Sequence, residues 1–136
     1  MRMQSRIAIR AGVGLRALAL AAVAAIVLQL TVLPHQQAAF DVVAASSDKL
    51  VHMLVFATVA GLLWIATRGR WPLAILAAAG AIGLADEAIQ WYSPVRHADV
   101  RDLVADLFGA AFTLFLLNTF ARATPPSPAL LPSNGG

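Results

Sequence analysis

Four apolar runs separated by short polar punctuation organise the chain. They are Ala17 to Leu33, interrupted only by Gln29; Leu50 to Thr67, with His52 near its start; Pro72 to Ile89, with Asp86 and Glu87 near its end; and Leu103 to Ala121, with Asp106 in its first turn or so. Each run approaches the roughly 20 residues that a helix needs to cross a hydrocarbon core about 30 Å thick. The third is the shortest before its first charge, so a buried or interfacial helix is the alternative there. The pattern predicts an all-α, polytopic membrane protein, a bundle of four transmembrane helices.

The connections suit that reading. Ser46, Ser47 and Asp48 read as an N-cap for the second helix. Arg68-Gly69-Arg70 reads as a tight hairpin, with Pro72 placed for the first turn of the third helix. Ser93-Pro94 breaks the chain between the third and fourth. The expected organisation is a basic cytoplasmic segment 1–16, a four-helix domain 17–121 and a Pro-rich, disordered cytoplasmic tail 122–136. Arginines ahead of an apolar stretch also fit a signal peptide. The stretch is long for that and the small-residue pattern at Ala38-Ala39 is a weak cleavage site, so the first helix is expected to be retained.

Composition agrees: of 136 residues, 60% are hydrophobic and 12% charged. With a mean hydropathy of +0.75, little polar surface remains to cover a soluble core. Absence of cysteine excludes disulfides and thiolate chemistry.

The distribution of charge says more than the net +3. With the N-terminus in the cytoplasm, Arg2, Arg6, Arg10, Arg16, Arg68, Arg70 and Arg122 fall inside, and only Lys49, Arg96 and Arg101 outside. That is a positive-inside bias, so a multi-pass protein of the cell membrane with both termini cytoplasmic is expected. Every acidic residue (Asp41, Asp48, Asp86, Glu87, Asp99, Asp102 and Asp106) and every histidine (His35, His52 and His97) then falls on the outer half.

Helical spacing gathers these groups. Asp48 and Lys49 share a face with His52; Glu87 and Gln90 share one; Asp99, Asp102 and Asp106 form a stripe. His52 and Asp106 lie inside apolar runs, where an ionisable group is costly and normally faces the bundle interior. The expected binding pocket comprises Asp48, Lys49, His52, Glu87, Gln90, Arg96, Asp102 and Asp106, with His52 and Glu87 as the candidate acid–base pair. Asp86 is expected on a different, solvated face. Asp48, Asp99 and Arg101 read more simply as ion pairs knitting the helix ends. Phe56, Trp64, Phe112 and Phe115 read as packing or lipid-facing groups, Trp71, Trp91 and Tyr92 as interfacial aromatics, and Gly80, Gly83 and Gly109 as sites of close helix packing. Ser93 with His97 lacks an orienting third group for nucleophilic chemistry. No compact metal-ligand spacing occurs, so neither metal nor cofactor is expected.

Two motifs carry a resemblance. Asp48-Lys49-x-x-His52-x-x-x-Phe56, and then Glu87-x-x-Gln90-x-x-x-Pro94-x-Arg96-x-x-Asp99-x-x-Asp102-x-x-x-Asp106-x-x-Gly109, resemble the two motifs of the VanZ-like family, named for a teicoplanin-resistance protein. The likeness covers about Ser46 to Leu117. The family usually has asparagine where Asp106 stands and often has glycine where Val95 stands. The resemblance implies a small polytopic membrane protein acting in the cell envelope, with a link to tolerance of a glycopeptide antibiotic.

The expected partners are membrane lipids, a lipid-linked envelope precursor or a partner membrane protein, and no nucleic acid. A non-catalytic binder stands slightly ahead of a membrane-embedded enzyme acting on a lipid-linked envelope precursor, because no complete catalytic set is visible. Proton-coupled transport is a weaker third, needing oligomers. The topology has a direct test: reporter fusions after Arg70 and after Arg122 should read cytoplasmic and a fusion after Arg96 external. An external signal after Arg122 would overturn it.

Overall fold

A computed structural model describes residues 2–32, 45–93 and 98–123. They form four α-helices: α1 (Arg2–Val32), α2 (Ala45–Thr67), α3 (Pro72–Trp91) and α4 (Val100–Ala123). All four are long and apolar enough to cross a membrane; in α1 the qualifying stretch is Ala11–Thr31. The basic N-terminal segment thus continues the first helix. Ser46, Ser47 and Asp48 lie within the first turn of α2 rather than ahead of it, because the helix begins at Ala45. The tail after Ala123 and the segment 33–44 lie outside the described residues.

Each buried face is one helical stripe. On α2 it includes His52, Phe56, Val59 and Ala60; on α3 it is Ile75, Ala79, Gly83, Asp86 and Gln90; on α4 it is Asp102, Asp106, Gly109, Ala110 and Leu114. Steps of three, four and seven keep such residues on one side. Each stripe is apolar at one end and polar at the other. The apolar ends meet in a core of Phe56, Ala60, Ile75, Ala79, Ala110 and Leu114. α2 is central: its longest interface is with α4, and α1 packs mainly on it.

The outside is as apolar as the inside. Leu54, Leu73, Leu84, Phe108, Phe112 and Phe115 are all exposed, a surface that requires lipid rather than water. Exposed Trp71 flanks α3 at one end and exposed Trp91 and Tyr92 at the other. Twenty residues of helix separate the two tryptophans by about 30 Å, matching the hydrocarbon thickness between aromatic belts.

The α2–α3 hairpin shows how one helix end is satisfied. Arg68 (φ 58°) takes the left-handed conformation. Its N–H reaches Ile65 O at 3.2 Å, and Gly69 N–H reaches Trp64 O at 2.8 Å, the paired bonds of a Schellman stop. Arg70 N–H donates to Thr67 O at 3.3 Å. The remaining terminal carbonyl, Ala66 O, accepts Arg16 Nε from α1 at 2.6 Å. All four orphan carbonyls of α2 are therefore paired, and a guanidinium sits at the negative end of the helix dipole. Pro72 opens α3 at a position that needs no N–H.

The backbones of α2 and α4 come close at Gly109, where an added Cβ would overlap the Met53 backbone carbonyl of α2. At Gly61 the nearest atom, Thr113 Cγ2, would be 3.8 Å away. Gly109→Ala should therefore force α2 and α4 apart and destabilise the bundle by about 1–3 kcal/mol, while Gly61→Ala should be nearly neutral. Thermal unfolding of the purified protein in detergent checks this; equal melting temperatures for the two variants would contradict it.

Candidate functional site

The polar ends of the three stripes meet at one end of the bundle. His52 on α2 and Asp102 and Asp106 on α4 are 6%, 3% and 1% exposed. His52 Nδ1 lies 3.0 Å from Asp106 Oδ1, and His52 Nε2 lies 4.0 Å from Asp102 Oδ2. The imidazole is thus set between two carboxylates one helical turn apart on α4. Lys49, one turn before His52, donates to Asp102 Oδ1 at 2.7 Å and to Asp99 Oδ2 at 3.0 Å. The chain of groups runs from half-exposed Asp99 and Lys49 inward through Asp102 and His52 to Asp106.

Asp99 has a second task. Its Oδ1 accepts the Arg101 N–H at 2.9 Å, which makes it the N-cap of α4. That backbone bond first, and the Lys49 ammonium second, hold the Asp99 carboxyl below its ordinary value. The sign follows: a depressed carboxylate contributes above its unfolded pKa and loses that contribution as pH falls through the folded one. The α4 cap therefore survives into acid below the usual aspartate range.

On α3 the structure reverses an expectation. Asp86 is 3% exposed, not solvated, and accepts a hydrogen bond from Gln90 Nε2 at 2.9 Å. The cause is α1: its Val27, Leu30 and Thr31 cover that face of α3, leaving a cleft of about 230 Å³ bordered by Asp86 and Ile89. Asp86 is in phase with Ile75, Ala79 and Gly83, and Gln90 follows it by four residues, a spacing that carried the signal. Glu87, expected inside beside His52, is only half-buried. It accepts the Asp99 backbone N–H and borders a different cleft of about 310 Å³, with Leu84, Trp91 and Leu103.

Glu87 Oε1, Gln90 Oε1 and Asp106 Oδ2 are buried acceptors with no donor among the described residues. Asp106 Oδ2 occupies the space left by Gly83, where a Cβ would stand 2.9 Å from it. Of the expected pocket residues, Arg96 and the Asp48 side chain lie outside the described residues, as do His35 and His97. Among the described residues no group of three or more acidic, histidine or cysteine side chains could hold a metal ion. The Trp64 indole, expected only to pack, donates to Asn118 Oδ1 at 3.4 Å and links α2 to α4 near the opposite end.

Fold and site together define a small helical membrane protein of four apolar spans, with a buried histidine–carboxylate network at one end. The chain belongs to the VanZ/LLP1 family, whose family model matches residues 14–121. No curated protein and no solved structure matched it.

The network makes a prediction about stability. Lys49→Ala leaves the buried Asp102 without its ammonium and should destabilise the protein. Asp102→Asn in the same chain should recover much of that loss, because the uncompensated charge is gone. A double-mutant cycle of unfolding in detergent measures the coupling; strictly additive losses would show that the contact carries no interaction energy.

Proposed function

We propose that the protein binds a glycosylated or anionic envelope amphiphile at the outer leaflet, through the His52/Glu87/Asp102 end of the bundle, and so alters how the envelope responds to glycopeptide antibiotics. The observation that carries this is the burial of His52, Asp102 and Asp106 together, in spans whose exposed side chains are mostly apolar. Buried ionisable side chains in such spans mark functional sites by default. The acceptors beside them fit a head group rich in hydroxyl or amine donors: Glu87 Oε1 lacks a donor among the described residues and its carboxylate borders a cleft between α3 and α4. Arg96 is the proposed contact for a phosphate or carboxylate. The arginine bias supports an outer position for this end with both termini in the cytoplasm, and family membership supports the link to the envelope.

One observation favours a second reading, a membrane-embedded enzyme acting on a lipid-linked precursor. A carboxylate that holds an imidazole nitrogen, as Asp106 Oδ1 holds His52 Nδ1 at 3.0 Å, is how a general base is oriented. In this reading the base is the His52–Asp106 pair, with Glu87 at the neighbouring cleft.

The test is antibiotic tolerance conferred by expression of the unaltered chain and of His52→Ala, Glu87→Gln, Arg96→Ala and Asp106→Asn, each checked for normal insertion. Binding predicts loss with His52→Ala and Arg96→Ala, and retention with Asp106→Asn, which keeps an acceptor for the ring. Catalysis predicts loss with Glu87→Gln and Asp106→Asn while binding survives. Tolerance unchanged by His52→Ala, Glu87→Gln and Arg96→Ala together would reduce the cluster to a structural role.

A further inference from the structure

The opposite end of the bundle has its own cleft, about 360 Å³ in volume, in the seam between α3 and α4. Its apolar length is formed by Leu73, Leu76, Leu114 and Phe115, and it closes at Arg122 in the last turn of α4. Leu73 and Phe115 are strongly exposed, so this lining faces the bilayer and fits a hydrocarbon chain. Its other polar side chains are already engaged. Asn118 Nδ2 donates to Leu114 O and Thr119 Oγ1 to Phe115 O, both at 2.8 Å. Arg122 is the one charged side chain of this lining.

Charge decides what Arg122 faces. Among the described residues Asp86, Glu87, Asp99, Asp102 and Asp106 all lie at the far end of the bundle, and Arg122 makes no ion pair or hydrogen bond. Arg68 and Arg70 stand in the adjoining hairpin, Arg70 lying 5.8 Å over the Trp71 ring. The first turn of α3, which lacks a side-chain cap, opens at the same place and adds to the positive field. An apolar slot that ends in unpaired guanidinium has the complementarity of a lipid with an anionic head group, whose phosphate an arginine fork can hold with two bonds.

We propose that the α3–α4 cleft at the arginine end binds one anionic glycerophospholipid, its phosphate on Arg122 and an acyl chain along Leu73, Leu76 and Phe115. The site is separate from the histidine–carboxylate end and does not depend on which leaflet it faces. Its occupant braces a seam that α1 and α2 leave open.

Native mass spectrometry of the full chain in detergent tests this, with phosphatidylglycerol and phosphatidylcholine of matched acyl chains as probes. The unaltered chain should bind phosphatidylglycerol more tightly. Arg122→Gln should weaken that binding about fivefold and leave phosphatidylcholine unaffected. Arg101→Gln, at the other end, should change neither. Ala111→Phe, which fills the cleft and keeps the charge, should weaken both lipids, with Ala111→Leu as the milder variant if the first unfolds. Equal affinity for the two lipids, undiminished phosphatidylglycerol binding by Arg122→Gln, or an equal loss with Arg101→Gln would overturn the proposal. A lipid-free dimer would also overturn it, by assigning the cleft to a second copy of the chain.

Discussion

Between α2 and α4 an imidazole and two carboxylates are withdrawn from water at a level where the surrounding surface is apolar. Alone, each would cost several kcal/mol there. They are tolerated because each faces another: Asp106 the Nδ1 side of His52, Asp102 the Nε2 side and the Lys49 ammonium. This mutual satisfaction constrains the rest of the bundle. Rotating either helix would turn His52 or Asp106 toward lipid, so the rotational setting of α2 against α4 is specified by polarity, whereas lipid-like side chains alone specify it weakly. The short distances also demand close backbones. Gly109 against Met53, and Gly83 against Asp106 and Leu103, provide the room.

The two ends of the molecule solve opposite electrostatic problems. At one, carboxylates outnumber cations and are stabilised by a lysine, an imidazole, backbone N–H groups and a glutamine. At the other, guanidinium groups stand where helices α2 and α4 expose their carbonyl ends, so the helix dipoles and the fixed charges agree. Arg16 does so most directly, and in bonding Ala66 O it ties α1 to the hairpin. The buried middle of the bundle is an apolar cluster.

The treatment of neighbouring carboxylates on α3 shows where periodicity alone falls short. Glu87 shares a helical face with Gln90 by one spacing and Asp86 by another, and spacing cannot say which face is covered. The arrival of α1 beside α3 buries Asp86. The α3–α4 connection brings the Asp99 N–H to Glu87 and leaves its carboxylate at the rim of a cleft. Asp86 is thus buried where solvation was expected, while Glu87 is half-buried with its Oε1 shielded.

Hydrophobic run length determined the helix count, the hairpin at Arg68-Gly69-Arg70 and the place of the aromatic belts, because lipid imposes a one-dimensional rule: about 20 apolar residues per crossing. Helical spacing also brought Lys49 and His52 to one face of α2, and Asp102 and Asp106 to one face of α4, because a repeat of 3.6 residues is local geometry. Contacts between helices are not local. That His52 pairs with Asp106 rather than Glu87, that Asp86 is buried, that Arg16 closes α2 and that Trp64 meets Asn118 were decided by the tertiary structure, since each depends on the rotation and depth at which two separately stable helices pack.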